Sequence, residues 1–369
     1  MADLSDTTLS AMLNPLFEGA EKPVSRWLVT GAGGFIGSHL VQALLNAGQQ
    51  VVALDNFLTG HRHNLDRVLA AVPPAAREHY RLVEADITDE ASVAQAMVGV
   101  DYVLHQAALG SVPRSLAQPL ASFSNNVDGF FKVIIAAKDA GVKRFVYASS
   151  SSIYGDHPDL PKLEPKTGNP LSPYAATKAS NELFAAMVSR CYGMSCAGLR
   201  YFNVFGARQD PNGPYAAVIP RWVDALISGE PVYINGDGET SRDFCFVDNV
   251  VQINLRAALL GVTPAGEPVG SDTTGEASHF AYNVAVGHRT TLNELFYLLR
   301  DRVSRVYPQA ASREPEYRDF RAGDVRHSQA DISRAANQLA YAPTHTVSQG
   351  LDVAVQWYLE NSGAVSKPE

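Results

Sequence analysis

Cysteine is scarce in this chain: Cys191, Cys196 and Cys245 are the only three in 369 residues. The number is odd, no pair has C-x-x-C spacing, and no histidine stands at zinc distance from any of them. A disulfide framework is therefore excluded, and reduced structural thiols in a cytoplasmic setting are predicted. Basic residues are in deficit, 30 against 38 acidic, for a formal net charge of -8. Such a chain has no cation surplus with which to displace counterions from a phosphate polymer, so nucleic acid is excluded as its main ligand. No apolar run approaches the roughly 18 residues of a membrane span. Asp3 and Asp6 stand where a signal peptide carries positive charge, so a soluble protein is predicted. Internal repeats are absent, and low-complexity sequence is confined to GVTPAGEPVGSDTTGEAS at 261–278, which reads as a surface loop.

What is present is the composition of a globular protein, 46% hydrophobic and 18% charged. At roughly 150 residues per domain the length suggests about two domains. Residues 1–24 form a weakly amphipathic extension (Leu4, Leu9, Met12, Leu13, Leu16, Phe17) closed by Pro23, and are predicted to lie as a helix on the body. From residue 25 the pattern changes. Short aliphatic runs at 27–30, 51–55, 80–86, 102–106, 145–149 and 196–202 alternate with helical stretches. Continuous apolar strands separated by helices predict an α/β fold, a doubly wound parallel sheet over 25–205. Beyond Gly206 the alternation breaks into Pro- and Gly-rich loops around single helices at 219–228 and 291–303. This predicts a smaller α/β lobe over 206–369, with some segments returning to the first domain.

Three motifs carry chemistry. The run Gly31-Ala32-Gly33-Gly34-Phe35-Ile36-Gly37 directly follows the first strand and opens a helix. Glycines at 31, 34 and 37 permit a tight turn, close approach of a pyrophosphate to backbone N–H groups, and close helix–strand packing. The second strand ends at Asp55, where a carboxylate can accept both adenosine ribose hydroxyls and repel a 2′-phosphate. NAD is therefore predicted over NADP, with Arg62 nearby as the one feature pointing the other way. Next, Tyr174-Ala175-Ala176-Thr177-Lys178 opens a helix after Ser172-Pro173. Residues four apart share a helix face, so the ammonium can sit near the phenol and lower its pKa toward that of a usable general base. By itself Y-x-x-x-K is common on helix surfaces; its weight comes from a third motif, Ser149-Ser150-Ser151-Ser152-Ile153-Tyr154-Gly155. That run lies at the carboxyl end of a strand, the edge where ligands bind in such sheets.

With these motifs in order, the chain resembles the extended short-chain dehydrogenase/reductase family and, within it, the bacterial UDP-N-acetylglucosamine 4-epimerases. Further matching stretches are HQAALGSVPRS at 105–115, NNVDG at 125–129, LRYFNVFG at 199–206, INGDGETSRDFCFVDN at 234–249, YNVAVG at 282–287 and FRAGDVRHSQAD at 320–331. The resemblance implies an NAD-dependent enzyme that interconverts UDP-GlcNAc and UDP-GalNAc, or their uronic acids, through a 4-keto sugar. Tyr174 would be the base, Lys178 its electrostatic partner and a ribose ligand, and Ser150 the assisting hydroxyl, with Ser151 replacing it if the loop is offset by one. Phe35, Ile36, Asn56, Gly60, Asp86, Ile87, Gln106, Ala107, Ala108, Asn125 and Tyr201 would complete the cofactor site. Gly110, Ser111, Asn203, Val218, Tyr233, Asn235, Arg242, Arg321, Asp324 and Ser328 would meet the substrate, the two arginines clamping its diphosphate. A homodimer through the helix containing Phe130, Phe131, Ile134 and Ile135 and the one starting at Tyr174 is also implied. The alternatives are a nucleotide-sugar 4,6-dehydratase or decarboxylase, which needs an additional acid where this chain has Ser151-Ser152-Ile153, and a non-catalytic NAD-binding module. His61 and His63 lack a third ligand and read as loop surface, so no metal is predicted.

Overall fold

Alternating apolar residues along the strands sort themselves onto the two sides of one sheet. The computed structural model describes residues 13, 15–17, 24–212, 216–260, 279–320 and 325–361. Its central sheet comprises β1 (Arg26–Thr30), β2 (Gln50–Asp55), β3 (Tyr80–Glu84), β4 (Tyr102–His105), β5 (Arg144–Ser150), β6 (Cys196–Tyr201) and β7 (His279–Val284). All pairings are parallel, in the order β7-β6-β5-β4-β1-β2-β3. Val29, Val51, Leu104, Val146 and Leu199 point into a core with helices α1 (Phe35–Asn46) and α5 (Val247–Leu259). Leu28, Val52, Val103, Phe145 and Tyr147 point the other way, into a core with α2 (Phe130–Asp139) and α3 (Pro173–Tyr192). Both faces are covered, which is why the strands carry almost no polar alternation.

A separate core joins Trp222 of α4 (Val218–Ser228), Phe296 and Leu299 of α6 (Leu292–Val303), and Leu351 and Val355 of α7 (Val347–Asn361). The sequence reading lacked β7, because its residues lie beyond the point where strand–helix alternation stops. The pairing of β7 with β6 and the packing of α5 bring the second half of the chain back onto the first sheet.

At the amino end, Leu13 and Leu16 are buried in the first of these cores, and Phe17 meets the Trp27 ring edge-on at 6.3 Å. The rest of the predicted extension, apart from Pro15 and Val24, and the loop at 261–278 lie outside the described residues. Among the described residues no helix is long and apolar enough to cross a membrane. The three cysteines are free, with Cys191 exposed and Cys196 and Cys245 buried.

Candidate active site

The sheet's strand order reverses at β1, whose neighbours are β2 on one side and β4 on the other. At such a switch point the connections leave in opposite directions and a crevice opens beyond the carboxyl ends. The crevice here is a cleft of about 570 Å³. Its floor is the β1–α1 turn. Gly31 has φ of 67°, and a side chain there would come within 2.8 Å of the Ala107 backbone nitrogen. Gly34 caps α1 without any side-chain hydrogen bond, so the helix's first N–H groups remain available to an anion.

Asp55 closes one end. Its Oδ2 accepts the Gly33 N–H at 2.8 Å and its Oδ1 the Phe57 N–H at 2.7 Å, while burial raises its pKa against those bonds. Arg62, the residue that favoured NADP, is ion-paired with Glu84 and lies 4.4 Å from the Phe57 ring centroid. A 2′-phosphate would have to displace a carboxylate to use it.

Gly31, Gly34, Phe35, Ile36, Gly37, Asp55, Asn56, Gly60, Ile87, Gln106, Ala107, Ala108, Asn125, Tyr174, Lys178 and Tyr201 all line the cleft, together with Gly110, Ser111, Ser150 and Asn203. Asp86 is not among the lining residues; it sits behind Asn56, accepting its amide at 2.7 Å. Tyr201 is fixed between Gln106, to which it donates at 3.0 Å, and Asn254, from which it accepts at 2.8 Å.

Helix α3 begins where it does because Ser172 caps it, its hydroxyl accepting the Ala175 N–H at 3.1 Å, with Pro173 in the first turn. That places Tyr174 and Lys178 on the cleft side. Tyr174 and Ser150 line the same cleft; burial raises the pKa of the phenol and the neighbouring serine hydroxyl pulls it back. Lys178 Nζ donates to the Ala148 carbonyl at 2.8 Å and lies 5.9 Å from the centre of the Tyr174 ring. Burial brings the lysine itself down to about 8, and the phenol is shifted up rather than down. Desolvation opposes both charged forms and outweighs their mutual attraction. Ser151 lies on a short 3-10 turn and does not line the cleft, whereas Ser150 does.

A second cavity of about 630 Å³ shares Asn203, Val204 and Gln209 with the first. Val218, Tyr233, Asn235 and Arg242 line it as predicted. Arg221, Trp222, Arg318, Phe320 and Arg326 line it as well, and sequence reasoning missed them. Arg318 arrives because strand residues Glu316–Arg318 pair with Tyr233–Asn235, which puts its guanidinium carbon 3.2 Å from the centre of the Tyr233 ring. Arg326 is paired with Asp237 at 2.7 Å. The only local signal for these residues was their arginine content. Ser328 is half-buried beside Arg242, its N–H donating to the Ser241 carbonyl at 3.1 Å, and is not among the residues lining either cavity. Arg321 and Asp324 lie outside the described residues. His61 pairs with Asp210 at 3.0 Å and stacks on His63.

A glycine turn at a helix start, a carboxylate at the end of β2, and a Ser–Tyr–Lys group facing the same cleft define a dinucleotide-dependent enzyme of the short-chain dehydrogenase/reductase type. The chain belongs to the NAD dependent epimerase/dehydratase family, whose model matches residues 27–267. It is 35% identical over 339 residues, 91% of this chain and 99% of the relative, to a UDP-glucose 4-epimerase of Mycolicibacterium smegmatis. Among solved structures it is similar to a UDP-N-acetylglucosamine 4-epimerase from Methanobrevibacter ruminantium in complex with UDP-N-acetylmuramic acid. That likeness has 37% identity and a TM-score of 0.80, covering 91% of this chain and 99% of the other. It is also similar to a UDP-glucuronic acid 4-epimerase from Bacillus cereus in complex with UDP-glucuronic acid and NAD, at 25% identity and a TM-score of 0.76, covering 91% and 99%. The cofactor is NAD, and the residues present fit it: the Gly31 turn leaves backbone exposed where a side chain would collide, and Asp55, at the end of β2, lines the same cleft and would be the residue to hold a ribose.

Proposed function

We propose that this chain is a UDP-sugar 4-epimerase whose preferred substrates are UDP-GlcNAc and UDP-GalNAc. The observation that carries the reading is that Ser150, Tyr174 and Lys178 face one cleft, which shares Asn203, Val204 and Gln209 with an arginine-lined cavity. One half suits a dinucleotide and the other a nucleoside diphosphate. Guanidinium groups match the planar, bidentate geometry of phosphate oxygens. When bound, NAD supplies reversible hydride acceptance from C4 and, in its oxidised form, a positive charge. Tyr174 takes the proton of the sugar's 4-hydroxyl, assisted by Ser150, and returns it once the 4-keto sugar presents its other face. Net redox change is zero. A dehydratase is disfavoured because positions 151 and 152 carry serine hydroxyls where an acid would be needed, and the Ser152 N–H is spent on Ser150 Oγ at 3.1 Å. A non-catalytic module is disfavoured by the intact Ser–Tyr–Lys group.

Because the cofactor is restored in each cycle it has no need to leave. Acid-denatured protein is expected to release NAD, and preparations that are empty yet unaffected by added NAD would overturn the mechanism.

Selectivity for the acetamido group is assigned to Ser328 and Gly110. Gly110 lines the cleft with nothing within 4 Å of where a Cβ would stand. Ser328 lines neither cavity itself, but its N–H donates to the Ser241 carbonyl next to Arg242, and a small side chain there is proposed to leave room beside C2 of the sugar. Steric pockets reject an added group strongly, whereas a missing one costs only about 1–3 kcal/mol. The enzyme should thus keep weak activity on UDP-glucose and UDP-galactose. Ser328→Tyr is expected to lower kcat/KM for the acetylated sugars about tenfold or more while sparing plain hexoses. Equal loss on both classes, read by separating the sugar products, would transfer the selectivity elsewhere.

A cytoplasmic homodimer completes the proposal. In the helices flanking the site, Leu116, Leu120 and Phe123 are exposed, as is Leu183 on α3. Phe130 and Ile134 are buried inside the subunit and Phe131 packs on Phe184, so α3 and the segment before α2 offer the apolar face instead.

A further inference from the structure

Beneath the Ser150–Tyr174 pair lies a buried charge network that the proposed proton transfer does not use. Glu182 follows Tyr174 and Lys178 at two successive four-residue steps, so the three share one stripe of α3. Its Oε1 accepts the Ser149 hydroxyl at 2.6 Å. Arg200 engages both of its oxygens, Nε to Oε1 at 3.0 Å and Nη2 to Oε2 at 2.7 Å. The two side chains are only 6% and 13% exposed. Ser149 and Arg200 are direct neighbours across the β5–β6 register. The remaining Arg200 nitrogen donates to the Tyr154 hydroxyl at 3.0 Å and the Glu164 carbonyl at 2.8 Å, and Tyr154 donates in turn to Asn283 Oδ1 at 2.5 Å. Helix α3, the end of β5, β6 and the serine loop therefore meet at one carboxylate–guanidinium fork.

We infer that Glu182 and Arg200 are positioning residues, a bidentate bridge that holds the helix carrying Tyr174 and Lys178 in register with the strand end carrying Ser150. This rests on the reading of Tyr174 as the base. A buried ion pair is on average no more stabilising than a well-packed apolar pair of the same volume. What it adds is direction, because a planar fork fixes both distance and angle. Without the fork, α3 would keep its apolar packing on Phe145 and Tyr147 and the Lys178–Ala148 bond from a flexible stem, neither of which fixes the angle at the strand end, and Ser150 could drift from the phenol. The other titratable groups facing this junction are Tyr147 of β5, Glu164, His105 of β4 and His279 of β7. Burial keeps both histidines neutral, at about 3 for His105 and about 4 for His279.

The test uses the holoenzyme carrying Glu182→Gln, Ser149→Ala or Ser149→Thr. Two quantities are measured: kcat and KM with a UDP-sugar, and the phenolate titration of Tyr174 by ultraviolet difference against Tyr174→Phe. Glu182→Gln and Ser149→Ala are expected to lower kcat about 10- to 100-fold with KM unchanged, the size of effect that misplacement by about 1 Å produces. Both should move the Tyr174 titration upward by about one pH unit as Ser150 moves away from the phenol. Ser149→Thr keeps the hydroxyl and should recover most of the loss. A role confined to stability would lower Tm and leave the titration and the kcat of folded protein alone. If Glu182→Gln does not fold, the Ser149 variants decide: a wild-type titration midpoint in Ser149→Ala overturns the inference. Failure of the wild type to turn over any UDP-sugar overturns the proposed function instead, and the phenolate titration, which needs no turnover, still decides the role of the bridge.

Discussion

Tyr174→Phe is expected to lower turnover about 10²–10⁴-fold, the range for loss of a positioned general base. The substitution removes one hydroxyl from a half-buried ring and leaves the shape of the cleft. UDP-sugar and NAD should bind as before, so the loss falls on kcat. Structure sharpens the expectation. Burial lifts the pKa of the phenol above the ordinary tyrosine value, so without cofactor the proton stays on the oxygen at neutral pH. Lys178, tied to the Ala148 carbonyl and itself brought down to about 8, does not by itself ionise the phenol. The enzyme's base should therefore depend on the charge of the loaded cofactor, and the phenolate titration of Tyr174 should lie higher in NAD-free than in NAD-loaded protein. Near-normal turnover in the phenylalanine variant would assign the base to another group.

The second large effect is expected at Gly37. A Cβ there would collide with the Gly31 carbonyl oxygen and stand 2.7 Å from the Gly31 carbonyl carbon. Both are backbone atoms of the turn that faces the pyrophosphate, so no side-chain rotation relieves the clash. Helix α1 would have to back away from β1, and overpacking of this kind typically costs about 1–3 kcal/mol. Gly37→Ala should purify with little NAD and without activity, with a lowered Tm. Gly110→Ala makes the contrast, since that site lines the same cleft but is open, and it should retain its NAD. Cofactor content after acid release, with Tm by calorimetry, checks both. A Gly37→Ala protein with full NAD would show that the turn can shift without losing its ligand.

The parts of this site that are legible in the sequence are those encoded over a few residues. The glycine turn announces itself because positive φ and close approach demand glycine at 31 and 37 whatever lies around them. Tyr174 and Lys178 are readable as a pair because a helix repeats every 3.6 residues, and Ser172-Pro173 marks where that helix starts. The apolar runs predict a sheet covered on both faces by the same logic. The tertiary structure alone decided the rest. Strand β7 is joined to the sheet by pairing with β6 across a long excursion. Arg318 reaches Tyr233 through a three-residue ladder between distant segments. Glu182 stands one turn beyond Lys178, but its partners Ser149 and Arg200 come from two other strands. The ionisation of the site is a tertiary property as well. Spacing placed a cation one turn from a phenol, whereas the burial that acts on both groups is carried by no local pattern.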